Sequence, residues 1–310
     1  MLCTVIFERW HINFAKIKTM NYKVLTDFLD KLPSNNKYKD LKMIEAIELN
    51  EVRNENCLDT MKLMPDNFVD LTVTSPPYDD LRTYNGYSFD FESIAKELYR
   101  VTKQGGVVVW VVGDATIKGS ETGTSFKQAL FFKECGFNLH DTMIWKKINP
   151  MPVNDKRYQQ SFEYMFVFSK GKPKTTNLIM TKKTSGTLTR QKNKMSTAQT
   201  GKNGELVNYT NYKGGDRPNK TKKKNIFEYQ IGFNAKGDKT KHPAIFPEQL
   251  AQDQIISWSN EGDLVYDPFM GSGTTAKMAK INNRNYIGSE ISKQYCDIIA
   301  ERLARVEIIK

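Results

Sequence analysis

The residues best suited to chemistry in this chain form the stretch Thr74–Tyr78 (TSPPY), which follows the apolar run Phe68–Val73. A short run rich in β-branched residues predicts a strand. Two consecutive prolines cannot donate backbone hydrogen bonds, so they must end that strand in a stiff, extended turn. In such a turn Ser75 and the free carbonyls can accept from an amino group while Tyr78 covers a flat ligand, which suits a nucleobase. The alternative is a simple strand terminator with a packed tyrosine.

A second chemical pattern lies at Asp267–Thr275 (DPFMGSGTT), directly after a strand predicted at Asp263–Tyr266. Glycines between a buried strand and a helix allow backbone amides and the helix N-terminus to approach a ligand closely. The next predicted strand leads into Glu290, 23 positions after Asp267, and a spacing near ~20 is what a carboxylate that binds ribose hydroxyls requires. Gly-Lys-Ser/Thr does not follow the glycines, which disfavours a triphosphate site, and Ala276 replaces the third glycine of a dinucleotide site.

Alternating elements must position these two motifs. Phe91–Thr102 and Phe126–Cys135 are predicted to be helices, and the continuous apolar run Val107–Val112 is typical of a strand buried on both faces. Further strands are predicted at Asn138–Lys147 and Glu163–Ser169. This alternation predicts an α/β, doubly wound sheet.

The positive charge of the chain is concentrated in one segment. Lys170–Lys241 contains 18 Lys and Arg against 4 Asp and Glu, whereas the remainder contains 28 against 31. Such a segment, with aromatic residues interleaved, is typical of a region that binds a polyanion such as nucleic acid. The alternative is a solvated basic insertion.

Composition excludes several other classes of protein. A chain of 310 residues with 39% hydrophobic residues can bury a full core. No apolar run approaches the roughly 18 residues that span a bilayer, so we expect a soluble, intracellular protein. The four cysteines and three histidines are scattered, which favours neither a metal site nor a disulfide framework.

Four stretches together resemble one family. TSPPY, HPAIFPEQL (His242–Leu250), DPFMGSGTT and YIGSEIS, in this order, are similar to the permuted (β-class) DNA amino-methyltransferases, in which the catalytic half precedes the cofactor half. The resemblance covers Ile47–Leu303 and implies a seven-stranded, mostly parallel, Rossmann-like methyltransferase sheet. The implied divisions are an N-terminal extension (1–43), a catalytic half (44–169), a basic target-recognition insertion (170–241) and a cofactor half (242–310).

The resemblance also implies S-adenosylmethionine as the cofactor. The residues expected to bind it are Asp59, Thr74, Phe246, Glu248, Asp267, Phe269, Gly271, Gly273, Thr274 and Glu290. Asp59 would cap its helix if judged on local pattern alone, but in this family context it would accept from the amino group of the cofactor. Glu290 would accept from the ribose hydroxyls.

The same resemblance assigns catalysis to Ser75, Pro76, Pro77 and Tyr78. Hydrogen bonds from an exocyclic amine to Ser75 and the Pro76 carbonyl would pull its nitrogen towards tetrahedral geometry, so that the lone pair can attack the sulfonium methyl. The target base would have to be flipped out of the duplex and stacked on Tyr78.

Serine at the first position of the motif is associated in this family with N4-cytosine methylation, so Ser75 favours cytosine over the alternative, N6 of adenine. A catalytically inactive DNA-binding protein and an enzyme acting on RNA or a protein amide are the alternatives from other classes. The expected partners are double-stranded DNA and, as a candidate, a cognate restriction endonuclease. We expect a monomer or homodimer without a membrane segment, located in the cytoplasm of a prokaryotic cell at the nucleoid.

Overall fold

The computed structural model describes eight ranges, which are 47–77, 89–150, 152, 156–182, 197–200, 206–209, 220–230 and 247–306. Tyr78, Phe246 and the predicted N-terminal extension lie outside the described residues. The predictions made for them are therefore not addressed by the structure.

The elements of the described residues are numbered here in chain order. The strands are β1 (Glu51–Arg53), β2 (Val69–Thr74), β3 (Thr102–Val112), β4 (Thr116–Ile117), β5 (Ser120–Glu121), β6 (Asn138–Lys147), β7 (Phe162–Ser169), β8 (Met180–Lys182), β9 (Thr197–Thr200), β10 (Leu206–Tyr209), β11 (Lys220–Lys222), β12 (Ile226–Tyr229), β13 (Leu264–Asp267) and β14 (Asn285–Ser289). The helices are α1 (Cys57–Leu63), α2 (Phe91–Val101), α3 (Thr124–Glu134), α4 (Glu248–Trp258), α5 (Thr274–Ile281) and α6 (Lys293–Ala304).

Eight strands form the central sheet, in the order β1-β14-β13-β2-β3-β7-β6-β12. Neighbouring strands are parallel except around β7, which runs antiparallel to both β3 and β6. The prediction of an α/β, mostly parallel sheet is confirmed. The sheet has one strand more than the seven predicted, because β12, which lies in the predicted basic insertion, pairs with β6.

Two hydrophobic cores lie on opposite faces of this sheet. Side chains of a strand alternate between its faces, so Val107, Val109 and Val111 of β3 join the core that α4, α5 and α6 cover. Trp110, with its neighbours of the same parity, joins the core that α1, α2 and α3 cover. The continuous apolar run therefore reflects burial on both faces, as expected for a doubly wound sheet.

Strand β12 ties part of the basic segment to the globular core. Phe227 and Tyr229 are buried, and the Tyr229 hydroxyl donates to Asp253 Oδ2 of α4 at 2.8 Å. The Lys223 ammonium lies 3.4 Å from the same carboxylate oxygen. These contacts fix the end of the basic segment against α4.

The shorter strands form three antiparallel pairs, β4 with β5, β8 with β11 and β9 with β10. Among the described helices, none combines the length and apolar character needed to cross a membrane. The described residues also contain no cluster of three or more His, Cys, Asp or Glu side chains that could hold a metal ion.

Candidate active site

The two sequence motifs meet at the carboxyl edge of the sheet. Thr74 and Asp267 are the last residues of the adjacent strands β2 and β13, and Thr74 Oγ1 donates to Asp267 Oδ1 at 2.6 Å. The Thr275 hydroxyl, at the start of α5, donates to the Val73 carbonyl at 3.2 Å. Residues 193 positions apart in the sequence are therefore in direct contact, and they lie where parallel α/β sheets bind ligands.

The proline turn leaves the sheet directly beside this contact. Strand β2 ends at Thr74, Pro76 is buried, and Ser75 and Pro77 are partly buried. The strand end predicted from the two prolines is confirmed. The catalytic roles expected for Ser75 and the Pro76 carbonyl stay predictions.

Asp267 is a buried carboxylate that accepts from several neutral groups. Its Oδ1 accepts from the backbone amide of Phe269 at 3.0 Å as well as from the Thr74 hydroxyl. Burial raises the pKa of Asp267 to about 6, although hydrogen bonds from the Thr74 hydroxyl and the Phe269 amide oppose this shift. The Phe269 ring packs edge-on against Trp110, with the ring centroids 6.1 Å apart.

The glycine-rich loop after Phe269 has backbone φ angles that favour glycine. Gly271 and Gly273 adopt φ values of 54° and 82°, a left-handed region that costs other residues free energy. A Cβ added to Gly273 would lie 2.9 Å from Ile299 Cγ1 of α6. Gly273 caps α5, and Thr274 is the buried first residue of that helix. The loop can therefore present the positive end of a helix dipole to a ligand.

Glu290 stands at the end of the neighbouring strand β14. Its two carboxylate oxygens accept from the backbone amides of Gly271 and Ser292, each at 2.8 Å. Burial raises the pKa of Glu290. Asn54, which directly follows β1, donates to the carbonyls of Glu290 and Ile291 at 2.8 and 3.0 Å. Sequence reasoning missed Asn54, although its place after a strand at the carboxyl edge was a usable signal.

Glu248, the first residue of α4, has two cationic partners. Its Oε1 accepts from Lys277 Nζ at 2.6 Å and from Arg302 Nη2 at 2.8 Å. Arg302 also donates to the Ser272 carbonyl of the glycine-rich loop. Glu248 therefore stabilises the glycine-rich loop through Arg302. Its predicted contact with the cofactor stays a prediction. The partners lie 29 and 54 positions away in the sequence, so no local pattern could have revealed them.

Asp59 lies on the outer surface of α1. Its side chain is 59% exposed, and its Oδ1 is 2.8 Å from Lys62 Nζ. The residue that caps α1 is Asn56, whose Oδ1 accepts from the Leu58 amide at 2.9 Å. The capping role considered for Asp59 is therefore wrong, but the residue does lie in the first turn of α1, where its charge can compensate the helix dipole. Its contact with the cofactor stays a prediction.

The donors and acceptors at this edge fit the predicted cofactor. The carboxylates of Asp267 and Glu290 lie at adjacent strand ends and can accept from hydroxyl and amino groups. Gly271 and Gly273, both at positive φ, allow the loop between these carboxylates to turn tightly. A ligand that carries both ribose hydroxyls and a charged amino-acid group, such as S-adenosylmethionine, matches these groups.

Comparison with known proteins identifies the family. A family model described as DNA methylase, of the N6 and N4 type, matches residues 69–301. The orphan methyltransferase M.BamHII of Bacillus amyloliquefaciens is 57% identical to this chain over 253 residues, which are 78% of this chain and 91% of the relative. PvuII DNA methyltransferase, whose structure is described as cytosine-N4-specific, matches with a TM-score of 0.61 at 20% identity, covering 84% of this chain and 87% of that one.

A DNA modification methylase from Thermus thermophilus, solved in complex with S-adenosyl-L-methionine, matches with a TM-score of 0.54 at 22% identity. The match covers 82% of this chain and 94% of that one. These structural matches show the fold, and the cofactor in the second agrees with the predicted S-adenosylmethionine. Since the family model spans most of the sequence and M.BamHII is related over nearly its whole length, the chain belongs to the N6/N4 family of DNA methylases.

Proposed function

We propose that the chain is a site-specific DNA methyltransferase that methylates N4 of a cytosine flipped out of duplex DNA. The observation that carries this proposal is the hydrogen bond between Thr74 and Asp267. It joins the proline turn, which suits an amino group, to the glycine-rich loop, which suits the methyl donor. The two substrates would therefore meet at one sheet edge.

When bound, S-adenosylmethionine supplies an electrophilic methyl group. The Ser75 hydroxyl and the Pro76 carbonyl accept from the amino group of the base, which would free its nitrogen lone pair to attack the methyl carbon in line, with the sulfonium leaving as a neutral thioether and the surplus amino proton passing to solvent. Pro77 restricts the backbone of the turn, and Tyr78 stacks on the flipped base and offsets part of its unstacking cost. Positioning and electrostatics, rather than a strong general base, supply the acceleration.

Ser75 supports cytosine as the target, because serine at this position of the family motif accompanies N4-cytosine methylation. The fold match to the cytosine-N4-specific PvuII enzyme is compatible with this assignment. The family model covers both N6 and N4 enzymes, so N6 of adenine is the alternative target.

The segment 170–241 is proposed to recognise the target sequence. In its described part, the antiparallel strands β8 and β11 carry Lys182, Lys220 and Lys222, all of which are exposed. Exposed lysines on a strand pair can contact phosphates, and each such contact steepens the salt dependence of DNA binding. The enzyme would act in a restriction-modification system, or alone, as the orphan name of M.BamHII suggests.

The test is nucleoside analysis of unmethylated plasmid DNA after incubation with purified protein and labelled S-adenosylmethionine. We expect N4-methylcytosine, and we expect Ser75→Ala and Tyr78→Ala to remove most of the activity. Ser169→Ala is a matched control, because Ser169 ends β7 at the opposite edge of the sheet. If only N6-methyladenine formed, the target base would be adenine rather than cytosine. DNA binding without any methylation would favour an inactive binding protein.

A further inference from the structure

The half of the carboxyl edge beyond β2 contains a second set of polar residues. Because β7 runs antiparallel, its first residues lie beside the last residues of β3 and β6. Val112 of β3 pairs with Tyr164 of β7, so Gly113 follows beside Glu163. Lys147 is the last residue of β6 and follows Lys146, which pairs with Phe162 of β7. Gly113, Glu163 and Lys147 are therefore neighbours at the same edge as the proline turn.

Lys147 and Glu163 form an ion pair that is largely removed from solvent. Lys147 Nζ lies 2.7 Å from Glu163 Oε1, and the side chains are 17% and 10% exposed. Lys146 and Glu228 form the neighbouring pair at 2.8 Å, but their side chains are 52% and 56% exposed. Burying a charged pair carries a desolvation cost that an exposed pair avoids. A largely buried pair at a ligand-binding edge is therefore a candidate for contact with a polar ligand.

Gly113 places no side chain between this ion pair and the end of β2. A Cβ at Gly113 would meet Glu163 Cγ at 3.5 Å, an ordinary contact, and Gly113 is not among the glycines with positive φ. Neither packing nor backbone conformation among the described residues therefore requires glycine there. The alternation along β3, β7 and β6 places Gly113, Glu163 and Lys147 on one face of the sheet.

The distance from the start of the proline turn to β7 matches a pyrimidine. Thr74, the residue before the turn, pairs with Trp110 of β3, and β3 pairs with β7, so the start of the turn is two strand spacings, or about 10 Å, from β7. A pyrimidine that makes one hydrogen bond on each side also spans about 10 Å. Its amino group would face the acceptors of the turn, and its ring acceptors would face the Lys147 ammonium.

We propose that Lys147 donates to the ring acceptors of the flipped base, with Gly113 as the floor of the pocket and Glu163 as the positioning residue. An ammonium group has three donors, and Glu163 accepts one of them. Cytosine presents N3 and O2 as adjacent acceptors beside its amino group, whereas adenine presents only N1 there. Lys147 therefore favours cytosine. This inference rests on the proposed function, since it concerns the base-binding part of the same site.

The experiment compares three variants with the wild-type protein. Lys147→Met/Glu163→Gln removes both charges together, so that neither is left buried alone. Gly113→Ala adds one methyl group. The fold accommodates this group, but a bound base would contact it. Lys146→Met is the matched control from the exposed pair. Steady-state kcat and KM for plasmid DNA, the Kd for S-adenosylmethionine and the thermal midpoint are measured for each.

We expect the double variant to lower kcat/KM for DNA about 10- to 100-fold, as for loss of a hydrogen bond to a charged group. Gly113→Ala should also lower kcat/KM, because its methyl group would occupy part of the place of the base. The Kd for S-adenosylmethionine should stay within about twofold, and Lys146→Met should match the wild type. If both the double variant and Gly113→Ala keep wild-type kcat/KM while folded, the inference is overturned and the proposed function stands.

A binding readout separates this inference from the proposed function. Saturation-transfer NMR with free dCMP and dAMP should show that the wild-type protein prefers dCMP and that the double variant loses this preference. That result supports the pocket even if the wild-type protein methylates no DNA. Equal binding of dCMP and dAMP by the wild-type protein would contradict the role of Lys147 even if the protein is an active methyltransferase.

Discussion

The two halves of the carboxyl edge stabilise buried carboxylates differently. On the side of β13 and β14, Asp267 and Glu290 accept from hydroxyl and backbone N–H donors, and burial raises the pKa of both. On the side of β6 and β7, Glu163 is held by the Lys147 ammonium. Carboxylates held by neutral groups can accept further from ligand hydroxyls, whereas an ion pair keeps spare donors for ligand acceptors. The edge therefore suits a donor-rich ligand on one side and an acceptor-rich base on the other.

The largest expected difference concerns the pH dependence of stability, tested with Asp267→Asn. The pKa of Asp267 rises from 3.8 to about 6 on folding, so the folded protein holds this proton more tightly than the unfolded chain. Its contribution to stability is present below pH ~4 and is lost as the pH rises through ~6. The free energy of unfolding of the wild type, relative to the variant, should fall by up to about 3 kcal/mol between pH 4 and 7. Urea denaturation measures this, and a constant difference would contradict the burial of the charge.

Glu290→Gln changes only the half of the edge formed by β13 and β14, and it should weaken cofactor binding there. Glutamine has a single carbonyl oxygen, so it cannot accept from both Gly271 and Ser292 as Glu290 does. We expect the Kd for S-adenosylmethionine to rise about 10- to 100-fold, as for loss of a charge-assisted hydrogen bond. Calorimetric titration measures this effect. Lys147→Met/Glu163→Gln, which leaves neither charge of that pair buried alone, is the matched control from the other half, and a similar loss in that variant would mean that the two halves are not separate sites.

Thr74→Val should break the contact between the two motifs. Valine has the shape of threonine but cannot donate to Asp267, so the free energy of unfolding should fall by about 1 to 2 kcal/mol at neutral pH. Thr72→Val is the control, because the buried Thr72 hydroxyl has no hydrogen-bond partner among the described residues. Its replacement should be neutral or stabilising. Equal losses in both variants would show that the Thr74 hydroxyl contributes nothing specific.

The smallest effect is expected at the exposed ion pair on β6 and β12. Glu228→Gln removes the partner of Lys146, and both side chains are more than half exposed. Surface pairs of this kind contribute little, so stability should change by less than about 0.5 kcal/mol. Thermal denaturation at low and high salt measures this. A larger, salt-sensitive loss would mean that the pairing of β12 with β6 depends on charge rather than on the burial of Phe227 and Tyr229.

Much of the fold could be predicted because its signals are local. The apolar run of β3, the prolines after β2 and the glycines before α5 each act on the backbone within a few residues. The pairing of β12 with β6 could not be predicted, because a four-residue alternation within a basic segment resembles loop sequence until the hydrophobic face of α4 is there to cover it.

The candidate site also has one part that could be predicted from local sequence and one part that could not. The sequence by itself determined the chemical groups, a proline turn with a serine and a glycine-rich loop followed by Glu290, because these depend on residue type and short spacing. Only the tertiary structure decided that Thr74 bonds to Asp267, that Glu248 is held by Arg302, and that Lys147 pairs with Glu163, which lies beside Gly113. Those pairings depend on which strands become neighbours, and the order of strands in a sheet is set by the packing of the whole chain rather than by any one segment.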